Sequence, residues 1–199
     1  DISAEQRLED LMVDAGETIS VEFTIWNNAT RQDIFSVEIL HDNAGQWVIE
    51  QPNMENAVIN GESHTSFRID ITAPNTGQAG DTAPSITPVL LSKRSGMEFQ
   101  GTPYAGITVN TVSDLELRLL ESPQKLTPGI ESKVTLEIEN NGNGPVSASL
   151  SSNSIPSSWQ WWTVVEEMNH TGMIELSAPY DNEDVQMVEV WILLSLIHI

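Results

Sequence analysis

Residues 134–150 read VTLEIENNGNGPVSASL, and residues 21–37 read VEFTIWNNATRQDIFSV. The two stretches share one frame. Val21 falls on Val134, Phe23 on Leu136, Ile25 on Ile138, Asn27 on Asn140 and Asn28 on Asn141, all at an offset of 113 residues that also sets Gly16 on Gly129. In both, apolar residues recur at every second position, the period of a strand with one buried face. Ile19, Val21, Phe23 and Ile25 form the inward set of one strand, and Val134, Leu136 and Ile138 that of its copy. Glu22, Thr24, Thr135 and Glu137 are left for water. A turn precedes each strand, Ala15-Gly16 or Pro128-Gly129, in which glycine supplies a positive φ. An asparagine pair ends each one. Asn140-Asn141-Gly142-Asn143-Gly144-Pro145 is expected to reverse the chain because Asn and Gly tolerate left-handed backbone and Pro cannot continue a ladder. Val146, Ala148 and Leu150 then resume the alternation.

Working outward, Phe67-Ile69-Ile71, Ile86 to Leu91 and Ile107-Val109 add further strand-like runs, and Trp47 answers Trp159 one residue out of register. A period of 113 residues is too long for a solenoid repeat and close to the roughly 100 residues of an immunoglobulin-type sandwich. The expected fold is all-β, two tandem immunoglobulin-like β-sandwich domains over residues 1–112 and 113–193, the second C-terminally truncated. A short linker is placed around Val112-Ser113-Asp114, because Leu115, Leu117 and Leu119 already begin a strand. Ala4 to Val13, with Leu8 and Leu11 spaced in a weakly helical way, reads as an edge strand plus loop. Aligning Phe67-Ile69-Ile71 with Val188-Val190-Ile192 leaves the second copy nothing to match Ala73 to Val112. Residues 1–112 are therefore expected to fold by themselves and 113–199 to aggregate. Leu194 to Ile199 resembles the translation of a transposon sequencing adapter, so 194–199 is read as a non-native tail and His198 is given no role. The closing run VEVWILLSLIHI is shorter than the roughly 18–20 apolar residues of a span, and no membrane insertion is expected.

Composition narrows the chemistry. Eight basic against 29 acidic residues give a net charge of −21, which repels nucleic-acid phosphates and anionic lipid, so no nucleic acid is expected as a partner. With no cysteine, disulfides, thiolate metal sites and thiol nucleophiles are excluded. No G-x-S-x-G, G-x-x-x-x-G-K or H-E-x-x-H is present, and no catalytic residue, cofactor or enzyme activity is assigned. His41, His64 and His170 are scattered on polar stretches and read as loop histidines. Asp42-Asn43 and Asp181-Asn182-Glu183-Asp184 offer oxygens to calcium but match no EF-hand spacing; solvated turns are the simpler reading, with calcium as the alternative. Alternation puts Trp159 and Trp161 on one face and Trp162 on the other, with Trp159, like Trp47, in the core. Trp26, Trp162 and Trp191 are left pointing outward, as candidates for contact with carbohydrate or a neighbouring domain. Asn28-Ala29-Thr30 and Asn169-His170-Thr171 are glycosylation sequons on predicted loops.

The small-Gly turn, the alternating strand ending in Asn-Asn, the Trp after a Pro or small residue, and Ile69-Asp70-Ile71-Thr72-Ala73-Pro74 followed by Gly80 carry a resemblance. Together they resemble the NPCBM-associated and CARDB-like immunoglobulin-type modules of secreted and cell-surface proteins of bacteria and archaea. The resemblance implies an extracellular or cell-surface location, and the tandem copies, short linker, high acidity and absent catalytic signatures lead to the expectation of a non-catalytic structural, spacer or adhesion role within a larger protein. Its alternative is an accessory carbohydrate-contacting module of a secreted hydrolase. The implied partners are neighbouring domains of the same chain, and protein or polysaccharide.

Overall fold

The structure, a computed structural model, describes residues 4–6, 10–179 and 183–195, and the chain divides into two compact units, Asp1–Asn110 and Thr111–Ile199. The first unit contains β1 (Ala4–Gln6), β2 (Leu11–Val13), β3 (Thr18–Asn27), β4 (Asp33–His41), β5 (Val48–Ile49), β6 (Ala57–Ile59), β7 (Ser63–Thr72), β8 (Ile86–Ser92), β9 (Glu98–Gln100) and β10 (Ile107–Val109). One sheet runs β1-β3-β7-β5 and the other β6-β4-β8-β9, while β10 lies parallel to β2. The inward residues of both sheets belong to one cluster, with Phe23, Ile25 and Ile71 meeting Phe35, Ile86 and Leu90. Two antiparallel four-stranded sheets over one core, closed by a parallel pair of terminal strands, define an immunoglobulin-like sandwich. Phe23 and Phe67 face each other across β3 and β7 with ring centroids 5.5 Å apart. Burying side chains of this size contributes about 1.5–3 kcal/mol each, which makes this row the heart of the unit.

The outer face of β3 and β7 is a polar zipper. Thr18 meets Thr72 at 2.8 Å, Thr24 meets Ser66 at 3.1 Å, Ser20 donates to Asp70, and Arg68 pairs with Glu22 at 3.2 Å. Ala4 to Val13, expected as an edge strand plus loop, holds β1 paired to β3 and β2 paired to β10.

The second unit contains β11 (Leu115–Glu121), β12 (Glu131–Asn140), β13 (Val146–Ala148), β14 (Trp159–Val165), β15 (Met168–His170), β16 (Ile174–Leu176) and β17 (Val185–Leu194). Its sheets run β11-β12-β17-β14-β15 and β13-β16. Leu136 pairs with Val188 as Phe23 pairs with Phe67, and Ala148 pairs with Ile174 as Phe35 pairs with Ala57. Thus β12, β17, β13 and β16 repeat β3, β7, β4 and β6. Among the described residues no strand corresponds to β8, β9 or β10. The core shrinks with them: seventeen buried hydrophobic side chains form the first cluster and only Ile138, Ile174, Leu176 and Val188 the second. Trp159, expected in the core, is half-buried on the inner face, where no counterpart of β8 lies opposite.

The asparagine at the end of each strand works differently from the sequence expectation. None of Asn140 to Gly144 has a positive φ; that conformation belongs to the preceding turns, at Gly16 (78°) and Gly129 (75°). Asn27 is instead buried, its Nδ2 donating to the Arg31, Ile59 and Asn60 carbonyls at 3.0, 3.0 and 3.2 Å while Oδ1 accepts from the Ala29 amide at 3.1 Å. Asn140 repeats the arrangement with two carbonyls, donating to Gly144 and Ser177 at 2.9 and 2.7 Å and accepting from Gly142 at 3.0 Å. The side chain satisfies carbonyls that the bending chain withdraws from water. Gly142 is required by proximity, since a Cβ there would lie 2.4 Å from the Val112 carbonyl oxygen. Val112 and Asp114, expected as linker, are bonded to Asn143 and Asn141 of this same loop.

Candidate functional site

On the outer face of the five-stranded sheet, Trp162 of β14 stands opposite Trp191 of β17, and Trp191 opposite Lys133 of β12. Alternation dictates this placement: Val134, Leu136, Val188 and Val190 point inward, so Lys133, Glu189, Trp191 and Trp162 point out. The two indoles stack nearly parallel, 8° apart with centroids at 6.4 Å, and both are half-buried. Glu189, two residues before Trp191, secures the arrangement. Its Oε2 accepts the Trp191 indole N–H at 3.1 Å and its Oε1 accepts from Lys133 Nζ at 2.7 Å. The Lys133 bond, helped by the indole, holds the Glu189 carboxyl below its ordinary range, and the same bond raises Lys133.

The hairpin joining β14 to β15 completes the rim of an open groove of about 450 Å³ lined by Trp162, Trp191, Lys133, Glu189, Glu131 and Glu167. Val165 pairs with Met168, which leaves Glu166 and Glu167 as a two-residue loop, at φ 50° and 65°. Asparagine and glycine are the usual occupants of such a loop, and a side chain there costs about 1 kcal/mol per residue. Backbone strain of this kind marks a site worth a functional hypothesis. Chemically, the groove presents two indole rings within reach of an ammonium and three carboxylates, a combination suited to a ligand with an apolar face and a hydroxylated edge.

Of the tryptophans singled out by the sequence, the structure joins Trp162 and Trp191 and leaves Trp26 in the other unit, on the outer face of β3. Trp26 lies against His64 with centroids 4.3 Å apart. His41, His64 and His170 belong to β4, β7 and β15, so the loop reading of all three is corrected; the pairing of those segments carries them into strands. Asn28 is exposed beyond the end of β3, whereas Asn169, expected on a loop, is exposed within β15. Asp42 and Asn43 form a turn in which Asn43 accepts from the Gly45 amide. Asp181, Asn182 and His198 lie outside the described residues, and among the described residues no group of three His, Asp or Glu could hold a metal ion. No helix among them is long and apolar enough to cross a membrane. Sequence reasoning missed the Lys133 to Glu189 clamp and the Glu166-Glu167 turn. The parity of Glu189 with Trp191 was readable, but the opposition of Lys133 depends on strand register.

The geometry defines an all-β, immunoglobulin-like class. No family model and no curated protein matches the chain. Solved structures similar to it include a family 123 glycoside hydrolase from Clostridium perfringens, at 11% identity and TM-score 0.35, over 52% of this chain and 23% of that one. The human CEP192 ASH / PapD-like domain 7 is similar at 11% identity and TM-score 0.37, over 55% of this chain and 85% of its own length. The E. coli chaperone DraB is similar at 10% identity and TM-score 0.35, over 94% and 89%. The chain thus spans less than a quarter of the length of the hydrolase.

Proposed function

We propose that the chain is a non-catalytic structural or spacer module of a larger extracellular or cell-surface protein. One observation carries the reading: what the two units repeat is framework. Gly16 and Gly129, Phe23 and Leu136, and the asparagine staple at Asn27 and Asn140 recur at the same positions. The positions of unit 1 that answer Glu189 and Trp191 by strand register are Arg68 and Asp70, so the outer faces differ while the scaffold is kept. An antibody raised against the chain should label intact source cells; labelling only after permeabilisation would refute the location. Turnover of any member of a glycoside, ester and peptide panel would refute the non-catalytic role.

The tryptophan face supports a second reading, an accessory contact with polysaccharide. Stacking on indoles and hydrogen bonding to Lys133 and Glu189 would together hold a sugar ring. Titration with soluble polysaccharides should change the fluorescence of the wild type and of Trp26→Ala, and leave Trp162→Ala and Trp191→Ala without saturable change. Equal responses from all four proteins would remove the groove from consideration.

A further inference from the structure

The two units differ most at one edge. In unit 1 β4 runs for nine residues, and only Asp33 to Phe35 are paired with β6; from Phe35 to His41 its partner is β8. In unit 2 the corresponding β13 stops after three residues at Ala148, where the pairing with β16 stops. The sequence beyond keeps the inward parity, since Leu150 occupies the place of Val37 and packs against the second cluster. Among the described residues β13 has no partner on its second edge. The inner face beside it tells the same story. Val21, Phe23, Ile69 and Ile71 are 0–5% exposed in unit 1, yet their counterparts Val134, Leu136, Val190 and Ile192 are only half-buried. On the same face Leu115, Leu117 and Leu119 of β11 are 44%, 56% and 61% exposed.

We propose that this open edge and apolar face dock a strand pair of the β8–β9 kind carried by a partner polypeptide. The occupant is specified by the filled site in unit 1. It lies antiparallel to β13 and presents large apolar residues at alternate positions, as β8 presents Ile86, Pro88 and Leu90. One position must differ from β8. There Ser92, 1% exposed, donates to Asp33 at 2.6 Å, but the counterpart of Asp33 is Val146, so the docked strand carries an apolar residue where β8 has serine. A buried hydroxyl facing valine would have no acceptor. Docking converts residues 149–152 into strand and removes an exposed sheet edge, the feature most prone to indiscriminate pairing.

The test uses the whole chain and a synthetic peptide with the sequence of residues 85–101, SITPVLLSKRSGMEFQG, carrying S92V. Amide exchange at 148–152 should slow by about tenfold or more with peptide at saturation, while unit 1 exchange stays constant. A scrambled peptide should have no effect. Replacing Ser149 by proline, S149P, lies outside the β13–β16 ladder, so it should keep the fold and abolish the protection. No protection with the matched peptide, or protection that survives S149P, would overturn the proposal. So would protection of 148–152 without peptide that rises with protein concentration alongside a dimer in light scattering, because the occupant would then be a second copy of this chain.

Discussion

Asn27 satisfies four backbone groups and Asn140 three, each with one amide, a role that neither a smaller nor an isosteric acidic residue can take over. Replacing Asn27 with alanine leaves the Arg31, Ile59 and Asn60 carbonyls without this donor and should cost unit 1 about 2–3 kcal/mol in urea unfolding. Asn27→Asp should be worse than the alanine variant at neutral pH, because an ionised carboxylate cannot donate and would face those carbonyls; the gap should narrow when the acid is protonated. Wild-type stability in Asn27→Ala would show that the donors do not matter, and equal stability of the two variants from pH 3 to 7 that the carboxylate is not repelled by the carbonyls. On the tryptophan face, Glu189 is lowered first by Lys133 and then by the indole. Its contribution is present above the ordinary carboxylate value and is lost as pH falls through the lowered one. Lys133 is raised, so its share is present below the ordinary lysine value and is lost as pH rises through the raised one. Lys133 is exposed and Glu189 only half-buried, so the effect on stability is small. The sharper readout is Trp191 fluorescence, whose acid titration should move to higher pH in Lys133→Met.

At the scale of the element, the β14–β15 hairpin keeps two glutamates where the backbone favours asparagine and glycine. Glu166→Asn together with Glu167→Gly should stabilise unit 2 by about 1–2 kcal/mol, read as a higher urea midpoint, through relief of the left-handed cost. If polysaccharide contact is also weakened, the strained acids belong to the groove; the stability gain alone makes the turn merely tolerated. The long strands β3, β12 and β7 were legible in the sequence because each has one dry and one wet face, and period-two alternation records that difference directly. The short strands β6, β15 and β16 were not, as three residues hold too little periodicity and their pairing is fixed from outside. The asparagine pair was visible as a boundary, but its mechanism was hidden, since Ser177 and Asn60, whose carbonyls accept from it, are distant in sequence. Trp162 and Trp191 were legible by parity; their opposition, with Lys133 and Glu189 around them, needed register. Trp159 was misplaced because parity assigns a face without saying what lies across from it.

Across the whole molecule, the repeat was readable from the 113-residue offset, and the inequality of the two cores follows from the strands that unit 2 shares and those it lacks. Four of the six tryptophans, Trp159, Trp161, Trp162 and Trp191, lie in unit 2, and Trp26 and Trp47 in unit 1. Urea should therefore produce two transitions, the earlier one carrying most of the fluorescence change and the later one most of the loss of amide protection. A single transition seen identically by both probes would mean that the smaller core is as cooperative as the larger.

The parallel pair β2–β10 gives unit 1 a property that thermal or chemical unfolding would not reveal. The register Leu11 with Ile107, Met12 with Thr108 and Val13 with Val109 ties the beginning of the unit to its end. When the chain is pulled from both sides, parallel terminal strands are dragged past one another along their length, so their transverse bonds bear the load together instead of opening in succession. In unit 2 the terminal strands β11 and β17 are separated by β12 and share no such bonds. A protein held under tension through this segment would yield first at unit 2 and keep unit 1 as its mechanical stop.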